Sequence, residues 1–213
     1  MLNKVGTYSI LSVLTCTLLM SCHKVNQDSY VISSDNDVKE YIKEQQETTT
    51  YEKKIKEVNY KLKYISNEQM ALQQITDLST INQVKFDSIV RNYDSLLFFN
   101  LEINIDHFEG EILQYKLEGD ADLSYSERLD YYAFKMQKDI HIVLNEKDTI
   151  PCVLYHFERN YGISPNSNFM IGFKTANLKN AVFVFENNYL KTGPIKFALQ
   201  ENTLLNRPKI MIE

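Results

Sequence analysis

The sequence predicts a mainly β protein with α insertions (α+β), in which two or three short helices precede an antiparallel β-sandwich. Two observations predict this class. Apolar and polar residues alternate in many short segments, most of them after residue 130, and this period of two is typical of strands with one buried face. Helix-start patterns of the capping-box type occur before that point.

The first 21 residues have the layout of an export signal. Lys4 is followed by an uncharged, largely apolar run from Val5 to Met20, which is the order of regions in a signal peptide. A membrane-spanning helix is one alternative, but it requires about 20 apolar residues, and this run is shorter and rich in serine and threonine. An ordinary secretory signal is the other alternative, although no A-x-A-like cleavage site is evident.

The end of this segment, Leu19-Met20-Ser21-Cys22, resembles the lipobox of bacterial lipoproteins. The resemblance implies that signal peptidase II cuts before Cys22 and that this thiol carries fatty acyl chains such as palmitate. Each buried CH₂ contributes about 0.8 kcal/mol, so two or three chains attach a protein firmly to a membrane. His23 stands where enteric inner-membrane lipoproteins have aspartate. The resemblance therefore implies the outer membrane of the cell envelope, with the face left open.

Three segments are expected: a signal peptide over 1–21, a lipidated polar tether over 22–50, and one globular, mostly β domain over 51–213. Apolar residues are sparse in the tether, where Asp37 and Glu40 predict at most a short helix from Val38. Removal of the signal leaves 213 − 21 = 192 residues, enough for one sizeable core.

Cysteine count and net charge limit the function further. Cys16 would leave with the signal and Cys22 would be acylated, so Cys152 is expected to stand alone without a disulfide. Loss of Lys4 changes the net charge from −5 to −6. An acidic chain without a basic cluster argues against nucleic acid as a partner.

The first half of the domain is expected to alternate strands and helices. The segment "EVNYKLKYI" (57–65) predicts a strand, and Ser66 with Gln69 predicts a helix from Asn67 to about Leu78. Thr80 with Gln83 predicts a second helix over 81–96, and "FFNLEINID" (98–106) returns to the strand period.

The second half is expected to be nearly all β after a polar loop and one helical turn, which Ser124 and Glu127 signal. Asn145–Asp148 reads as a hairpin loop. The strand that contains Cys152 is apolar on both faces, which places it in the middle of a sheet. Strands are predicted at 132–144, 149–158, 168–174, 181–186, 194–200 and 208–213.

Residues 148–173, "DTIPCVLYHFERNYGISPNSNFMIGF", resemble segments of uncharacterised lipoproteins of Bacteroidota. This second resemblance extends over roughly the last 90 residues of the chain. It implies a location in the cell envelope, in agreement with the lipobox, and it implies no activity.

No catalytic residues, metal or cofactor are predicted. Cys152 and His156 lie four residues apart, which separates their backbones on a strand by about 13 Å and excludes a direct thiol–imidazole pair. Asp120, Asp122 and Ser124 begin like a calcium loop, but Tyr125 and Tyr131 occupy the positions that need glycine and glutamate.

A metal site is weakly signalled elsewhere. One extended segment could place three ligands together, namely His107, Glu109 and Glu111. The sequence shows no second segment that would supply further ligands. The P-loop, the dinucleotide fingerprint and the G-x-S-x-G elbow are all missing from the sequence.

One stretch remains as a candidate binding patch, because aromatic and charged side chains alternate there into a Gly-Pro loop. The alternative is a core strand whose polar end is closed by a salt bridge. The patch consists of Tyr155, His156, Glu158, Arg159 and Tyr161.

The sequence thus favours a lipid-anchored envelope protein that acts as a non-enzymatic binding or interaction module, for a protein or a glycan. One alternative is an envelope hydrolase whose site gathers distant residues, among them His107, His141 or His156 with two carboxylates. Another is a glycan-binding surface lipoprotein, which predicts a row of exposed tyrosines on one face.

Overall fold

The structure, a computed structural model, describes residues 29–116, 123–174, 178–186 and 189–213. Its strands are β1 (Ser29–Ile32), β2 (Thr50–Ile55), β3 (Val58–Ile65), β4 (Leu97–Ile105), β5 (Ile140–Leu144), β6 (Asp148–Glu158), β7 (Ser167–Phe173), β8 (Ala181–Phe185), β9 (Ile195–Ala198) and β10 (Lys209–Ile212). Its α-helices are α1 (Asp35–Thr49), α2 (Asn67–Gln74), α3 (Gln83–Arg91), α4 (Tyr125–Asp130) and α5 (Glu201–Leu205). Shorter helical turns are Leu78–Thr80, Ile112–Gln114, Tyr131–Lys135 and Met136–Asp139.

Eight of the described strands form one antiparallel sheet in the order β2-β3-β4-β7-β6-β5-β8-β9. The sheet curls until its two halves face each other across one core. The ring of Phe99 on β4 lies 5.9 Å from that of Phe183 on β8, and Tyr60 on β3 lies 6.4 Å from Phe185 on β8. The predicted class, mainly β with helical insertions, is confirmed, and the two layers of the sandwich belong to a single sheet.

The two edge strands, β2 and β9, meet through side chains. The ring of Tyr51 lies 6.2 Å from that of Phe197, and its hydroxyl accepts a hydrogen bond of 3.0 Å from the backbone N–H of Gln200. Lys53 Nζ donates to the carbonyl oxygen of Lys196 at 3.2 Å. We call this contact the seam.

The inner faces of the strands follow the predicted alternation. On β3, Tyr60 and Leu62 are buried, whereas Asn59 and Lys61 between them are half-buried on the outer face. This is the period-two pattern that a pleated strand with one face on a core requires. The predictions for 57–65 and 98–106 are confirmed as β3 and β4, and β6 lies between two neighbours as expected.

Capping residues fix two helix starts as predicted. The side chain of Ser66 accepts from the N–H of Gln69 at 3.0 Å, and α2 begins at Asn67 but ends at Gln74 rather than near Leu78. Ser124 and Glu127 form a reciprocal capping box at the start of α4.

The predicted box of Thr80 and Gln83 is wrong. Asn82 caps α3 instead, because its side chain accepts from the N–H of Lys85 at 3.0 Å. Asparagine is at least as good a cap as threonine, and the two candidates stand only two residues apart.

Residues 29–50 differ from the expected polar tether. Residues 29–32 form β1, 35–49 form α1 and Thr50 begins β2, and Ser34 caps α1 in a capping box with Asp37. Ile32 and Tyr41 are fully buried in this segment, so a few well-placed apolar side chains fix a stretch whose average composition is polar. The remaining tether residues, the signal segment and Cys22 lie outside the described residues.

The predicted strand over 132–144 is wrong in its first part. Residues 131–139 form helical turns and only 140–144 form β5. Tyr132 and Met136 are both buried, and a spacing of four brings two side chains to one side in a helix. The other predicted strands agree with β6 to β10 within two residues, and α5 was not predicted.

The paired strands β3, β4 and β7 end together on both sides of the sheet, and different structures cover the two ends. At one end Phe98 pairs with Ile65 and with Gly172, and α2 and α3 adjoin these strands. At the other end Ile103 pairs with Ser167, where the connection from β6 enters β7. The whole of β4, from Leu97 to Ile105, has eight residue steps and a length of about 26 Å.

The first end carries a two-stranded parallel ribbon of β1 and β10, and we call it the ribbon end. Ile32 and Ile210 from the ribbon share a hydrophobic cluster with Tyr41 of α1, Leu72 of α2 and Phe86 of α3. This second cluster is separate from the core inside the curled sheet.

A side-chain amide closes one edge of the ribbon. Gln83 Nε2 donates to the carbonyl oxygen of Ile210 at 3.1 Å, and Gln83 Oε1 accepts from the N–H of Ile212 at 2.9 Å. The amide thus occupies the place of a further strand beside β10. None of the helices in the described ranges combines the length and the apolarity needed to span a bilayer.

Candidate functional site

The second end of the sheet is formed by residues 159–166, which join β6 to β7, and we call it the loop end. Asn160 organises this loop. Its Nδ2 donates to the carbonyl oxygens of Ser164 at 2.8 Å and Asn166 at 2.7 Å, and its Oδ1 accepts from the N–H of Gly162 at 3.0 Å. One asparagine side chain therefore holds the backbone at three points, as is typical of this residue in turns.

The loop presents two large apolar side chains to solvent. Tyr161 is 76% exposed and Ile163 is 90% exposed. Tyr161 also has a φ of +53°, in the left-handed region that costs an L-residue about 1 kcal/mol. The loop is therefore a fixed and slightly strained structure whose tip is apolar.

Arg159 connects this loop to the body of the protein. Its Nη2 donates to the hydroxyl of Tyr125 at 2.8 Å and lies 3.6 Å from Oε1 of Glu111. Its guanidinium also lies 4.7 Å from the ring centre of Tyr161, within the range of a cation–π contact. Arg159 thus links three segments that are distant in the sequence.

The partner carboxylate of this contact is almost inaccessible to solvent. Glu111 is 3% exposed, and its Oε1 also accepts a hydrogen bond of 2.8 Å from the hydroxyl of Tyr125. That hydrogen bond to Glu111 raises the pKa of Tyr125 above its ordinary value, because loss of the proton would place two negative charges together. The hydroxyl and the guanidinium offset part of the cost of removing this carboxylate from water.

The five residues of the predicted patch fall into three places. Arg159 and Tyr161 lie together at the loop end. His156 and Glu158 are exposed on the outer face of β6, where they pair with Met170 and Asn168. Tyr155 belongs to the core, because its ring stacks on Phe169 with centroids 6.2 Å apart and its hydroxyl donates to the carbonyl oxygen of Tyr132.

Burial raises the pKa of Tyr155 well above its ordinary value, so its hydroxyl stays protonated and serves as a donor inside the protein. Its role is structural.

Sequence reasoning missed several residues of the loop end. Ile163 gives no signal as an isolated apolar residue, and in the sequence Tyr125 and Glu111 belong only to weak metal-site patterns. The asparagine and glycine of "RNYGISPN" do predict a turn, but pairing between Arg159 and Glu111 depends on the three-dimensional fold.

Cys152 is a buried structural thiol. It is 8% exposed, and its Sγ donates to the carbonyl oxygen of Leu154 at 3.0 Å beside an irregularity in the β6–β7 ladder. Burial raises the pKa of this thiol to about 11, which disfavours the nucleophilic thiolate at neutral pH. His156 is exposed, in agreement with the prediction that the two side chains form no pair.

The described residues contain no group of three or more His, Cys, Asp and Glu side chains that could hold a metal ion. The side chains of the candidate ligands His107, Glu109 and Glu111 do not come together. His107 and Glu109 are exposed, whereas Glu111 is buried and contacts Tyr125. His141 lies on β5 and His156 on β6. Asp120 and Asp122 lie outside the described residues.

Tyrosines do not form an exposed row on the described surface. Tyr125 at 42% and Tyr161 at 76% are the exposed tyrosines of residues 29–116, 123–174, 178–186 and 189–213, and Arg159 lies between them. This arrangement does not match the stacking platform that the glycan-binding alternative predicts.

Comparison with known proteins yields one weak likeness and no family. Neither a family model nor a curated protein matches the chain. A crystal structure of a protein of unknown function from Burkholderia pseudomallei is 9% identical and covers 79% of this chain and 86% of its own, with a TM-score of 0.38. At that score the likeness supports no argument about function.

Proposed function

We propose that this protein is a lipid-anchored, non-enzymatic binding module of the bacterial cell envelope, and that it contacts a protein partner through the loop end. The observation that carries the binding role is the fixed loop that exposes Tyr161 and Ile163. The anchoring role rests on the lipobox-like sequence that ends at Cys22 and, by the same resemblance, favours the outer membrane.

Exposed apolar side chains on a rigid loop suit protein recognition for a physical reason. A partner that buries Tyr161 and Ile163 gains hydrophobic free energy, and a preformed loop loses little conformational entropy on binding. Tyrosine and arginine are enriched among residues that dominate interface energies. The guanidinium of Arg159 packs on the ring of Tyr161 and so holds this ring in a fixed position for a partner.

A cross-linking experiment in intact cells tests the binding role. A photoreactive amino acid at Ile163 should give one discrete adduct, whereas the same amino acid at Phe134, which is 71% exposed outside this loop, serves as the matched control. Tyr161→Ala should lower the adduct yield about ten-fold, the effect of losing one interface hot spot. Equal labelling from both positions would refute the loop end as the contact surface.

The anchor is tested independently with a palmitate analogue. Cells that produce the native chain should incorporate the label and retain the protein in the membrane fraction, and Cys22→Ala should abolish both. Cys152→Ala is the matched control, because that thiol is buried and carries no acyl group in this proposal. Unchanged labelling of Cys22→Ala would refute the anchor and leave the loop experiment intact.

A further inference from the structure

The outer face of the β1–β10 ribbon carries two exposed apolar side chains and one lysine. Val31 is 46% exposed and Met211 is 39% exposed, and these two residues are register partners in the parallel ladder. Their side chains therefore lie side by side on one face. Lys209 is exposed two residues before Met211 and projects from the same face.

The inner face of the ribbon is firmly held. Ile32 and Ile210 are buried in the second cluster, and the ring of Tyr30 packs against that of Tyr41 with centroids 5.2 Å apart. Gln83 fixes the edge of β10. The ribbon is thus a rigid part of the domain at the ribbon end.

The ribbon also lies close in sequence to the acylated cysteine of the proposed function, on which this inference rests. Seven residue steps join Cys22 to Ser29, the first residue of β1. Even a fully extended chain of that length spans at most about 25 Å. The 28 residues after Cys22 that the sequence assigned to a tether would have allowed the domain to stand much farther from the lipid.

We infer that the outer face of the ribbon lies on the lipid bilayer that holds Cys22. Val31 and Met211 enter the interfacial layer, where apolar side chains are buried among the headgroups, and Lys209 contacts anionic lipid. The loop end, at the far end of β4, then faces away from this membrane and towards a partner. The ribbon end and the loop end thereby have separate tasks.

Depth-dependent fluorescence tests this orientation on the full, acylated chain. A fluorophore is attached to a cysteine at Val31, Met211 or Ile163, while buried Cys152 and acylated Cys22 do not react. The protein is inserted into vesicles of phosphatidylethanolamine and phosphatidylglycerol that contain headgroup-quencher lipid. Probes at 31 and 211 should be quenched about two-fold or more, as expected for side chains within 5–10 Å of the headgroups, and the probe at 163 should not.

A charge variant refines the test. Lys209→Glu should weaken quenching of the probe at 31, although the protein still floats with the vesicles. The control Lys147→Glu makes an equal charge change at an exposed lysine between β5 and β6. This control should leave the quenching at 31 unchanged. Equal quenching at 31 and 163 in floating vesicles would overturn the orientation alone. Shielding of the probe at 31 from both lipid quencher and aqueous iodide would overturn it in favour of a second copy on the ribbon.

Flotation separates this inference from the proposal beneath it. A chain that does not float with the vesicles has no functional anchor, and the anchor and the orientation then fail together. A chain that floats without quenching at 31 and 211 keeps its anchor and loses only the orientation.

Discussion

The ribbon end and the loop end of the sheet solve the same problem, an exposed strand terminus, in different ways. At the ribbon end three helices and a parallel ribbon bury a second hydrophobic cluster, which includes Phe86. At the loop end eight residues are held by the side chain of Asn160 and by the contact of Arg159 with Glu111. Apolar burial stabilises one end, whereas directional polar contacts shape the other and leave its apolar side chains outside.

The largest effect is expected from the second cluster. Phe86→Ala should lower the free energy of unfolding by about 4 kcal/mol, because Phe86 is 2% exposed and its loss leaves a cavity. Val84→Ala on the same helix, where Val84 is 75% exposed, should change it by less than about 0.5 kcal/mol. Urea unfolding measures both. Equal small effects would show that the ribbon end is not part of the cooperative fold.

The strand β6, which runs between the two ends, carries Cys152. The reactivity of this thiol can be compared between the folded and the unfolded chain. Burial raises the pKa of Cys152 from 9 to about 11. At pH 8 the folded chain should therefore react with a disulfide reagent about 100-fold more slowly than the chain in urea, where the pKa is normal. The sample is the chain without residues 1–21 and with Cys22→Ala.

The same raised pKa sets the direction of a pH effect. The folded state holds the thiol proton more tightly, so this contribution to stability is complete below about pH 9 and is lost as the pH rises to about 11.

The control for the thiol reactivity is an exposed cysteine. Ile163→Cys in a Cys152→Ser background should react with the disulfide reagent at similar rates in the folded and in the unfolded chain. A fast reaction of native Cys152 would contradict its burial.

The polar contacts of the loop end should have a moderate effect. Arg159→Met leaves the carboxylate of Glu111 buried with only the Tyr125 hydroxyl, and we expect a loss of about 2 kcal/mol, the cost of removing one partner from a buried polar group. Arg91→Met on α3, an exposed arginine, should be nearly neutral. The double variant Glu111→Leu, Arg159→Met should recover much of the loss, because no buried charge remains. Failure of that recovery in urea unfolding would point to a packing defect instead.

The smallest of these effects is expected at the edge of the ribbon. Gln83→Ala removes two hydrogen bonds to β10, which should cost about 1 kcal/mol. Amide hydrogen exchange of Ile212 should accelerate in this variant while that of Phe99 in the core remains slow. Unchanged exchange at Ile212 would show that the amide does not hold the edge.

Much of the curled sheet was predictable because its signals are local. Alternation along β3 and β4 and the caps at Ser66 and Ser124 follow from residues within one element. The failures have tertiary causes. In 29–50 isolated residues such as Tyr41 become buried only because distant helices surround them, and the apolar run after Asp130 fits a helix as well as a strand until Tyr132 meets the core.

The candidate site was predictable only in part for the same reason. Arg159 and Tyr161 were found because they follow one strand in sequence. Glu111 and Tyr125 come from other segments, and their pairing with Arg159 is created by the fold. The sequence places Tyr155 in the patch because it is an aromatic residue close to the other members, yet its ring stacks inward on Phe169.

The seam affects whether two copies of this protein can join through their sheet edges. A strand border with free N–H and C=O groups is a template on which a neighbouring chain can add its own strand. Tyr51 and Lys53 occupy that border on β2, and Lys53 takes up a carbonyl of β9. In the membrane-anchored state that we propose, copies of the chain would share one surface, and edge strands that shield each other would give a neighbouring copy no template for strand addition.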